Sequence, residues 1–194
     1  MNMLLAREIR PDAELPDFGP EFARHMACKT HPEGRIASLN AWSLLAEVLK
    51  RLDTPLQSVR FSETGKPYFP DSPLHFSLSH SANFAAALIS DSPCGVDIEQ
   101  VRPVSEKLVL RCMHPDEIAA GMDFFEAWTK KECLAKLDGD GMKSRPNRVN
   151  SCICTGWFIR SLTDAEGKEY RLCAICKSGE KICSEIPGKK TDCE

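Results

Sequence analysis

Apolar residues recur at steps of three or four along residues 39–52 of the chain. The series consists of Leu39, Trp42, Leu45, Ala46, Leu49 and Leu52. This spacing predicts an amphipathic helix that begins near Ser38 and packs one face in the core. A second helix is predicted from about residue 123 to residue 137, where the sequence DGDG ends it. A shorter helix is predicted over residues 114–121, with Pro115 at its first position.

Short apolar segments separated by turn residues fill residues 59–101, and they read VRFSETGKPYF, LHFSLSHS, FAAALIS and CGVDIEQV. These segments predict an antiparallel meander with a turn at Thr64 and Gly65. Residues 3–9 predict an opening strand, and two further strands joined by the turn TDAEGK are predicted after residue 149. Helices and short strands therefore occur in both halves of the chain, which predicts an α+β fold.

The composition narrows the class of protein. Of the 194 residues, 42% are hydrophobic and 27% are charged, values typical of a soluble globular chain. The net charge of -3 provides no overall attraction to nucleic acid. Arg7 and Glu8 interrupt the first apolar stretch, so no signal peptide is predicted, and no apolar run approaches the roughly 18 residues that span a bilayer. We therefore expect a cytoplasmic protein without a nucleic-acid or membrane partner.

Cysteines are frequent near the C-terminus. Six of the ten cysteines lie there, namely Cys152, Cys154, Cys173, Cys176, Cys183 and Cys193. A disulfide framework is the weaker interpretation without a secretory signal. The pairs 152/154 and 173/176 resemble a zinc pattern, but both lie in apolar runs that predict strands. Because residues three apart on a strand point to opposite faces, buried unreactive thiols are favoured over a zinc site.

Two carboxylates alternate with apolar residues in the segment GVDIE. On a strand, Asp97 and Glu99 share one face while Val96 and Ile98 turn toward the core. Neighbouring carboxylates repel each other unless a cation or solvent separates them. A hard divalent ion such as Mg²⁺ would bind this pair, and the alternative is a solvent-exposed polar face.

A stripe of the predicted helix over residues 123–137 carries Trp128, Glu132 and Lys136 at intervals of four. These side chains could form part of a site. The alternative is an ordinary stabilising pair, since glutamate four residues before lysine is favourable on any exposed helix.

A histidine and a lysine complete the candidate chemistry. Ser79 and His80 lie near the end of the predicted strand FSLSHS, and the alternative for His80 is a hydrogen-bonded core or turn residue. Lys66 precedes Pro67 in the predicted turn, and its ammonium group either meets a phosphate or faces water.

Taken in series, the motifs GKPYF, FSLSHS, GVDIE and WTKKECLAK, the last followed by GxG, resemble the signature of the 4′-phosphopantetheinyl transferases of the larger single-chain type. The resemblance covers about residues 33–142, and its last two motifs are the most specific. It implies a phosphopantetheinyl-transferase-like fold of two pseudo-symmetric halves, each with a small antiparallel sheet and a packed helix. We expect an N-terminal half over residues 1–94, a C-terminal half over residues 95–182 and a flexible tail over residues 183–194.

The resemblance also implies an activity. Such an enzyme transfers 4′-phosphopantetheine from coenzyme A to a serine of an apo acyl or peptidyl carrier protein and releases 3′,5′-ADP. Asp97, Glu99 and Glu132 match the Mg²⁺ ligands of the family, and Mn²⁺ is an alternative ion. Lys136 matches the lysine that contacts the transferred phosphate. Glu132, or a metal-bound water that it orients, is the candidate base.

The N-terminal motifs imply coenzyme A ligands. Arg35, in the stretch GRIASLNAWSLL, matches the family's arginine-containing helix start, and the remaining implied ligands are Lys66, Pro67, Ser79 and His80. A monomer is expected, because two halves in one chain supply the interface that single-domain relatives form by association.

Two alternatives stay open, a non-catalytic homologue that binds coenzyme A or a nucleotide and a zinc-stabilised binding module. The three acidic positions and Lys136 favour the enzyme.

Overall fold

The structure, a computed structural model, describes residues 1–139, 141–142 and 144–186 and the main chain of residues 189–190. In chain order the elements are β1 (Asn2–Glu8), α1 (Pro20–Ala27), α2 (Pro32–Arg51), β2 (Arg60–Phe61), β3 (Pro67–Tyr68), β4 (His75–Ser81), β5 (Phe84–Ser90), β6 (Cys94–Gln100), α3 (Glu106–Cys112), α4 (Pro115–Ala119), α5 (Phe124–Asp138), β7 (Phe158–Thr163), β8 (Glu169–Cys176), β9 (Cys183–Ile186) and β10 (Lys189–Lys190). Two 3-10 helices span Pro146–Arg148 and Ser151–Ile153. These elements confirm the predicted α+β fold.

The larger sheet has the strand order β10-β9-β1-β5-β4. The interior strand β5 is buried at every residue and pairs antiparallel with both β1 and β4. One face of β5 contributes Ala85, Ala87 and Ile89 to a core cluster that also contains Leu45 and Leu49 of α2. The opposite face packs against apolar residues of β6 and β8. The larger sheet therefore lies between α2 and the second sheet.

The second sheet has the order β6-β8-β7, and α5 packs against β6 and β8. Gly95 permits this close approach: a Cβ atom at that position would lie 2.1 Å from the carbonyl oxygen of Cys133 in α5. The glycine of the GVDIE segment thus brings the catalytic candidates of the helix next to those of the strand.

The helix α2 begins earlier than the sequence pattern predicts. Its N-cap is His31, whose side chain accepts a hydrogen bond from the Gly34 amide, and Pro32 occupies the first turn. Ser38 is therefore a buried residue inside the helix rather than near its start. Two other helices, α1 and α3, have no counterpart in the sequence-based prediction, because each has too few buried residues to give a periodic pattern.

The predicted meander does not form one sheet, because β2 and β3 make a separate two-stranded sheet and the last strand, β6, lies in a different sheet from β5. The turn at Thr64 and Gly65 is confirmed, since β2 and β3 form a hairpin around it and Gly65 has a φ of 83°. However, β6 pairs antiparallel with β8 instead of β5. Both edges of β5 are already occupied by β1 and β4, so β6 starts a separate sheet.

The C-terminal strands β7 and β8 are joined by the turn TDAEGK, as predicted. The predicted strand around Cys152 and Cys154 is wrong, since Ser151–Ile153 forms a 3-10 helix whose first amides bond to the side chains of Asn150 and Glu117. Cys173 and Cys176 do lie on opposite faces of β8, in different core clusters.

The flexible tail was expected over residues 183–194, but the first four of these residues form a strand. Cys183–Ile186 forms β9, which pairs in parallel with β1 through Met3 and Cys183, and this edge of β1 is the one that β5 leaves open. Residues 187–188 and 191–194, including Cys193, lie outside the described residues. Within the described ranges, no helix is both long enough and apolar enough to cross a membrane.

Candidate active site

The strand β6 supplies the two carboxylates of the site. Val96 and Ile98 are buried in the core between the sheets, so Asp97 and Glu99 face the side on which α5 packs. Asp97 is 5% exposed and Glu99 is half-buried. The alternation predicted from the sequence therefore places both carboxylates next to the helix.

The helix α5 supplies Glu132 and Lys136. Asp123 caps its first turn by accepting a hydrogen bond from the Glu126 amide at 3.0 Å, and Gly139 ends it with a φ of 81°. Lys136 Nζ donates to Asp97 Oδ1 at 2.7 Å and to the carbonyl oxygen of Val96 at 2.9 Å. The helix and the strand, which are distant in sequence, are thus joined by a charged side chain.

The three carboxylates are close enough to influence one another. Burial raises the pKa of Glu132, and the charges of Asp97 and Glu99 raise it further against the opposing effect of Lys136. Burial also raises the pKa of Glu99, where a hydrogen bond from Ser81 opposes the shift and the charge of Asp97 adds to it. Mutual repulsion of this kind is relieved by a bound cation.

One oxygen of Asp97 is left without a partner. Of the buried side-chain polar atoms in the described residues, two have no hydrogen-bond partner, and Asp97 Oδ2 is one of them. A buried carboxylate oxygen without a partner is unfavourable, and carboxylate oxygens are the ligands that hard divalent ions prefer. The side chains of this site therefore fit a divalent cation.

The site is not a ready-made metal cluster. No three His, Cys, Asp or Glu side chains of the described residues converge into a group that could hold an ion. In this arrangement the positive charge beside Asp97 is the ammonium group of Lys136. Binding of a cation by all three carboxylates would therefore require at least one of them to move.

Lys66 and Pro67 lie in the same cleft as the catalytic candidates. The cleft has a volume of about 260 Å³ and is lined by Lys66, Pro67, Glu132 and Lys136 among others. Lys66 Nζ donates to the carbonyl oxygen of Lys136 and to that of Leu137, at the C-terminal end of α5. Burial lowers the pKa of Lys66.

His80 and Arg35 lie toward the N-terminal helices. Desolvation of the imidazole lowers the pKa of His80, as do the positive charges of Lys29 and Lys136. Arg35 is exposed, and its guanidinium donates to the carbonyl oxygen of Met26 at 3.3 Å, three residues before Lys29. Lys29 was missed by the sequence analysis, because a single lysine in a loop has no distinguishing spacing.

Ser79 is buried and contacts Asp97 of the carboxylate pair. Its hydroxyl donates to Asp97 Oδ1 at 2.8 Å and accepts a hydrogen bond from the Ile98 amide at 3.3 Å. The family resemblance implies that this residue holds a phosphate of coenzyme A. The structure gives its hydroxyl two partners on β6.

Comparison with known proteins identifies the family. The sequence profile of the 4′-phosphopantetheinyl transferase superfamily matches residues 93–179, a segment that contains Asp97, Glu99, Glu132 and Lys136. A 4′-phosphopantetheinyl transferase of Bacillus subtilis is 32% identical over 168 residues, which cover 71% of this chain and 70% of that protein. The chain belongs to this superfamily.

Two further phosphopantetheinyl transferases match a shorter part of the chain. The transferase gsp of Aneurinibacillus migulanus is 35% identical over 117 residues, which cover 52% of this chain and 49% of that protein. The transferase Sfp of Bacillus subtilis (strain 168) is 33% identical over 118 residues, which cover 52% of this chain and 53% of Sfp. The chain thus spans about half the length of these two phosphopantetheinyl transferases.

Proposed function

We propose that this protein transfers 4′-phosphopantetheine from coenzyme A to a serine of an apo acyl or peptidyl carrier protein. The observation that carries the proposal is the meeting of β6 and α5, where Lys136 contacts Asp97 and the charges of three carboxylates influence one another. Lys66 and Pro67 line the same cleft. Membership of a superfamily whose members are named as phosphopantetheinyl transferases supports the same activity.

The proposed reaction is a single displacement at phosphorus. The serine oxygen of the carrier attacks the β-phosphorus of coenzyme A, and a new P–O bond forms as the bond to the bridging oxygen breaks. The leaving group is 3′,5′-ADP, and the serine proton passes to Glu132 or to a water that Glu132 orients. Lys136 contacts the transferred phosphate and offsets its charge.

Asp97, Glu99 and Glu132 are the proposed ligands of Mg²⁺, with Mn²⁺ as the alternative. The partnerless Asp97 Oδ2 supports this assignment. When bound, such an ion neutralises charge on the pyrophosphate and orients it.

The phosphates of coenzyme A are proposed to contact basic side chains near the cleft. Lys66 lies at the end of α5, and His80 lies within the electrostatic reach of Lys29. Arg35 approaches the end of α1, close in sequence to Lys29. In this proposal Lys66, Lys29 and Arg35 supply positive charge to the phosphates, whereas His80, whose pKa is lowered, acts as a neutral hydrogen-bonding side chain.

We propose that the carrier docks on the segment from α3 to the 3-10 helix at Ser151–Ile153. Four large apolar side chains are exposed there, Leu108, Leu110, Ile118 and Ile153. Exposed basic residues of the same region are Arg102, Lys107, Arg145 and Arg148, whereas the further candidate Lys143 lies outside the described residues. An acidic carrier helix with an apolar ridge is complementary to this surface.

The proposed division into two related halves has partial structural support. Residues 1–94 contain α2 packed on the larger sheet, and residues 95–182 contain α5 packed on the smaller one. The strand β9 follows the second half but completes the first sheet, so the two parts are also connected through the sheet. The expected monomer depends on this division.

The test is mass spectrometry of a panel of apo-carrier proteins incubated with coenzyme A and Mg²⁺. We expect at least one carrier to gain the mass of one phosphopantetheine. Asp97→Ala should abolish this gain, whereas Asp12→Ala, which alters an exposed aspartate in the loop after β1, should retain it. Transfer by Asp97→Ala at saturating Mg²⁺ would contradict the proposal. Binding of coenzyme A without transfer to any carrier would support a non-catalytic homologue instead.

A further inference from the structure

Three serines at alternate positions of β4 contact β6, although the two strands belong to different sheets. Their hydroxyl oxygens accept hydrogen bonds from β6 amides, in the pairs Ser77 with Val96 at 3.0 Å, Ser79 with Ile98 at 3.3 Å and Ser81 with Gln100 at 3.2 Å. We call Ser77, Ser79 and Ser81 the serine ladder. Successive amides of a strand point to opposite edges of that strand. The serine ladder therefore accepts hydrogen bonds along the edge of β6 that does not pair with β8.

Two members of the serine ladder also contact the carboxylates of the site. Ser79 donates to Asp97 Oδ1 at 2.8 Å, and Ser81 donates to Glu99 Oε2 at 2.9 Å. A serine hydroxyl has a single proton and accepts through its lone pairs. Because the β6 amide already uses a lone pair, the proton of each hydroxyl is free to be directed at a carboxylate.

Ser77 makes the amide contact without a carboxylate contact. Ser79 and Ser81 each donate to a carboxylate that lies 18 positions later in the sequence. The residue 18 positions after Ser77 is Gly95. Glycine has no side chain to accept the proton. Ser77 is therefore a natural control for the structural part of the contact.

We infer that Ser79 and Ser81 are positioning residues that fix the orientation of Asp97 and Glu99 for the divalent ion. The inference rests on the proposed function. Ser79 is buried and its hydroxyl is used twice on β6, so it serves the carboxylate rather than a phosphate of coenzyme A. Ser79 and Lys136 both hold Asp97 Oδ1, which leaves Oδ2 of the same carboxylate for the ion.

The test measures Mn²⁺ binding to the protein by electron paramagnetic resonance, with coenzyme A present and no carrier added. We expect Ser79→Ala and Ser81→Ala each to weaken Mn²⁺ binding about tenfold, the effect usual for residues that orient metal ligands. Ser77→Ala loses the same kind of amide contact and should bind Mn²⁺ within a factor of about two of the wild type, since it orients no ligand. Melting temperatures of the three variants, measured alongside, should fall by similar amounts.

Two results would overturn the inference. One is wild-type Mn²⁺ affinity in both Ser79→Ala and Ser81→Ala. The other is a loss in Ser77→Ala as large as that in Ser79→Ala, because the serine ladder would then act only through the fold. Failure of the proposed metal site is a different result: the wild type itself would show no saturable Mn²⁺ binding that Asp97→Asn removes.

Discussion

Lys136 of α5 and Asp97 of β6, 39 positions apart in sequence, form an ion pair of 2.7 Å between Nζ and Oδ1. The lysine is 28% exposed on its side chain and the aspartate 7%. The pair therefore joins the two elements at the edge of the cleft, where solvent and substrate can reach the ammonium group.

Loss of this ammonium group should affect the reaction more than the fold. We expect Lys136→Met to lower kcat about 10²-fold or more, the cost typical of removing one group that stabilises developing charge. The measurement is the rate of carrier modification at saturating coenzyme A. Lys50→Met, which removes an exposed lysine near the end of α2, should leave kcat unchanged. An undiminished rate in Lys136→Met would contradict its assigned role.

Replacement of Gly95 should separate α5 from β6. Because the added Cβ atom would lie 2.1 Å from the Cys133 carbonyl oxygen, we expect Gly95→Ala to destabilise the fold by about 1–3 kcal/mol, as overpacking does. Urea denaturation gives the free energy of unfolding. Gly34→Ala is the matched control, since its Cβ atom would meet nothing closer than 4.0 Å. In the helix α2 it should stabilise by about 0.5–1 kcal/mol, and wild-type stability of Gly95→Ala would refute the packing argument.

A buried ion pair joins α4 to α5. Lys131 Nζ and Glu117 Oε2 are 2.6 Å apart, and both side chains are 0% exposed. Glu117 also accepts hydrogen bonds from Ser151 and from the His114 amide. We expect Lys131→Met to cost about 3–5 kcal/mol, because it leaves a buried carboxylate without its cation. The double variant Glu117→Gln with Lys131→Met should recover part of this loss in urea denaturation.

The same pair predicts a pH dependence of stability. Burial acts to raise the pKa of Glu117, but hydrogen bonds from Lys131, Ser151 and His114 outweigh it, and the pKa lies below its ordinary value of 4.5. A carboxylate whose folded pKa is depressed stabilises the fold above the unfolded pKa, and this contribution is lost as the pH falls through the folded value. Melting temperatures should therefore decrease below about pH 4.5 less steeply in Glu117→Gln than in the wild type.

The thiols should divide into reactive and unreactive groups. Cys28 and Cys152 are exposed, whereas Cys94, Cys133 and Cys173 are buried. Burial raises the pKa of Cys173 to about 12 and also raises the pKa values of Cys94 and Cys133. We expect iodoacetamide to modify the first group in the native protein and the second only after unfolding. Peptide mapping by mass spectrometry measures this, and zinc-dependent protection of Cys152 would favour the zinc-stabilised module.

Local signals made the helix α5 predictable from the sequence. Asp123 and Gly139 bound α5 through interactions with their immediate neighbours, and the alternation in GVDIE assigned Asp97 and Glu99 to one face. The pairing of strands could not be predicted in the same way, because the pattern of β6 is compatible with several partner strands. That choice depends on which edges other strands already occupy, so the meander was predicted wrongly and the serine ladder was not predicted.

The weakly patterned elements were missed for a related reason. Leu108 and Leu110 of α3 are exposed, so the helix lacks the apolar stripe from which helices are recognised. Lys29 and Ser81 gain significance only from neighbours that are distant in sequence, His80 by charge and Glu99 by a hydrogen bond.

The parallel pairing of β9 with β1 has a consequence for biosynthesis. Met3 leaves the ribosome 180 residues before its partner Cys183. One edge of β1 therefore stays uncovered until those residues have been translated. Uncovered strand edges invite association between nascent chains, so a chaperone that shields this edge during synthesis would raise the yield of folded protein.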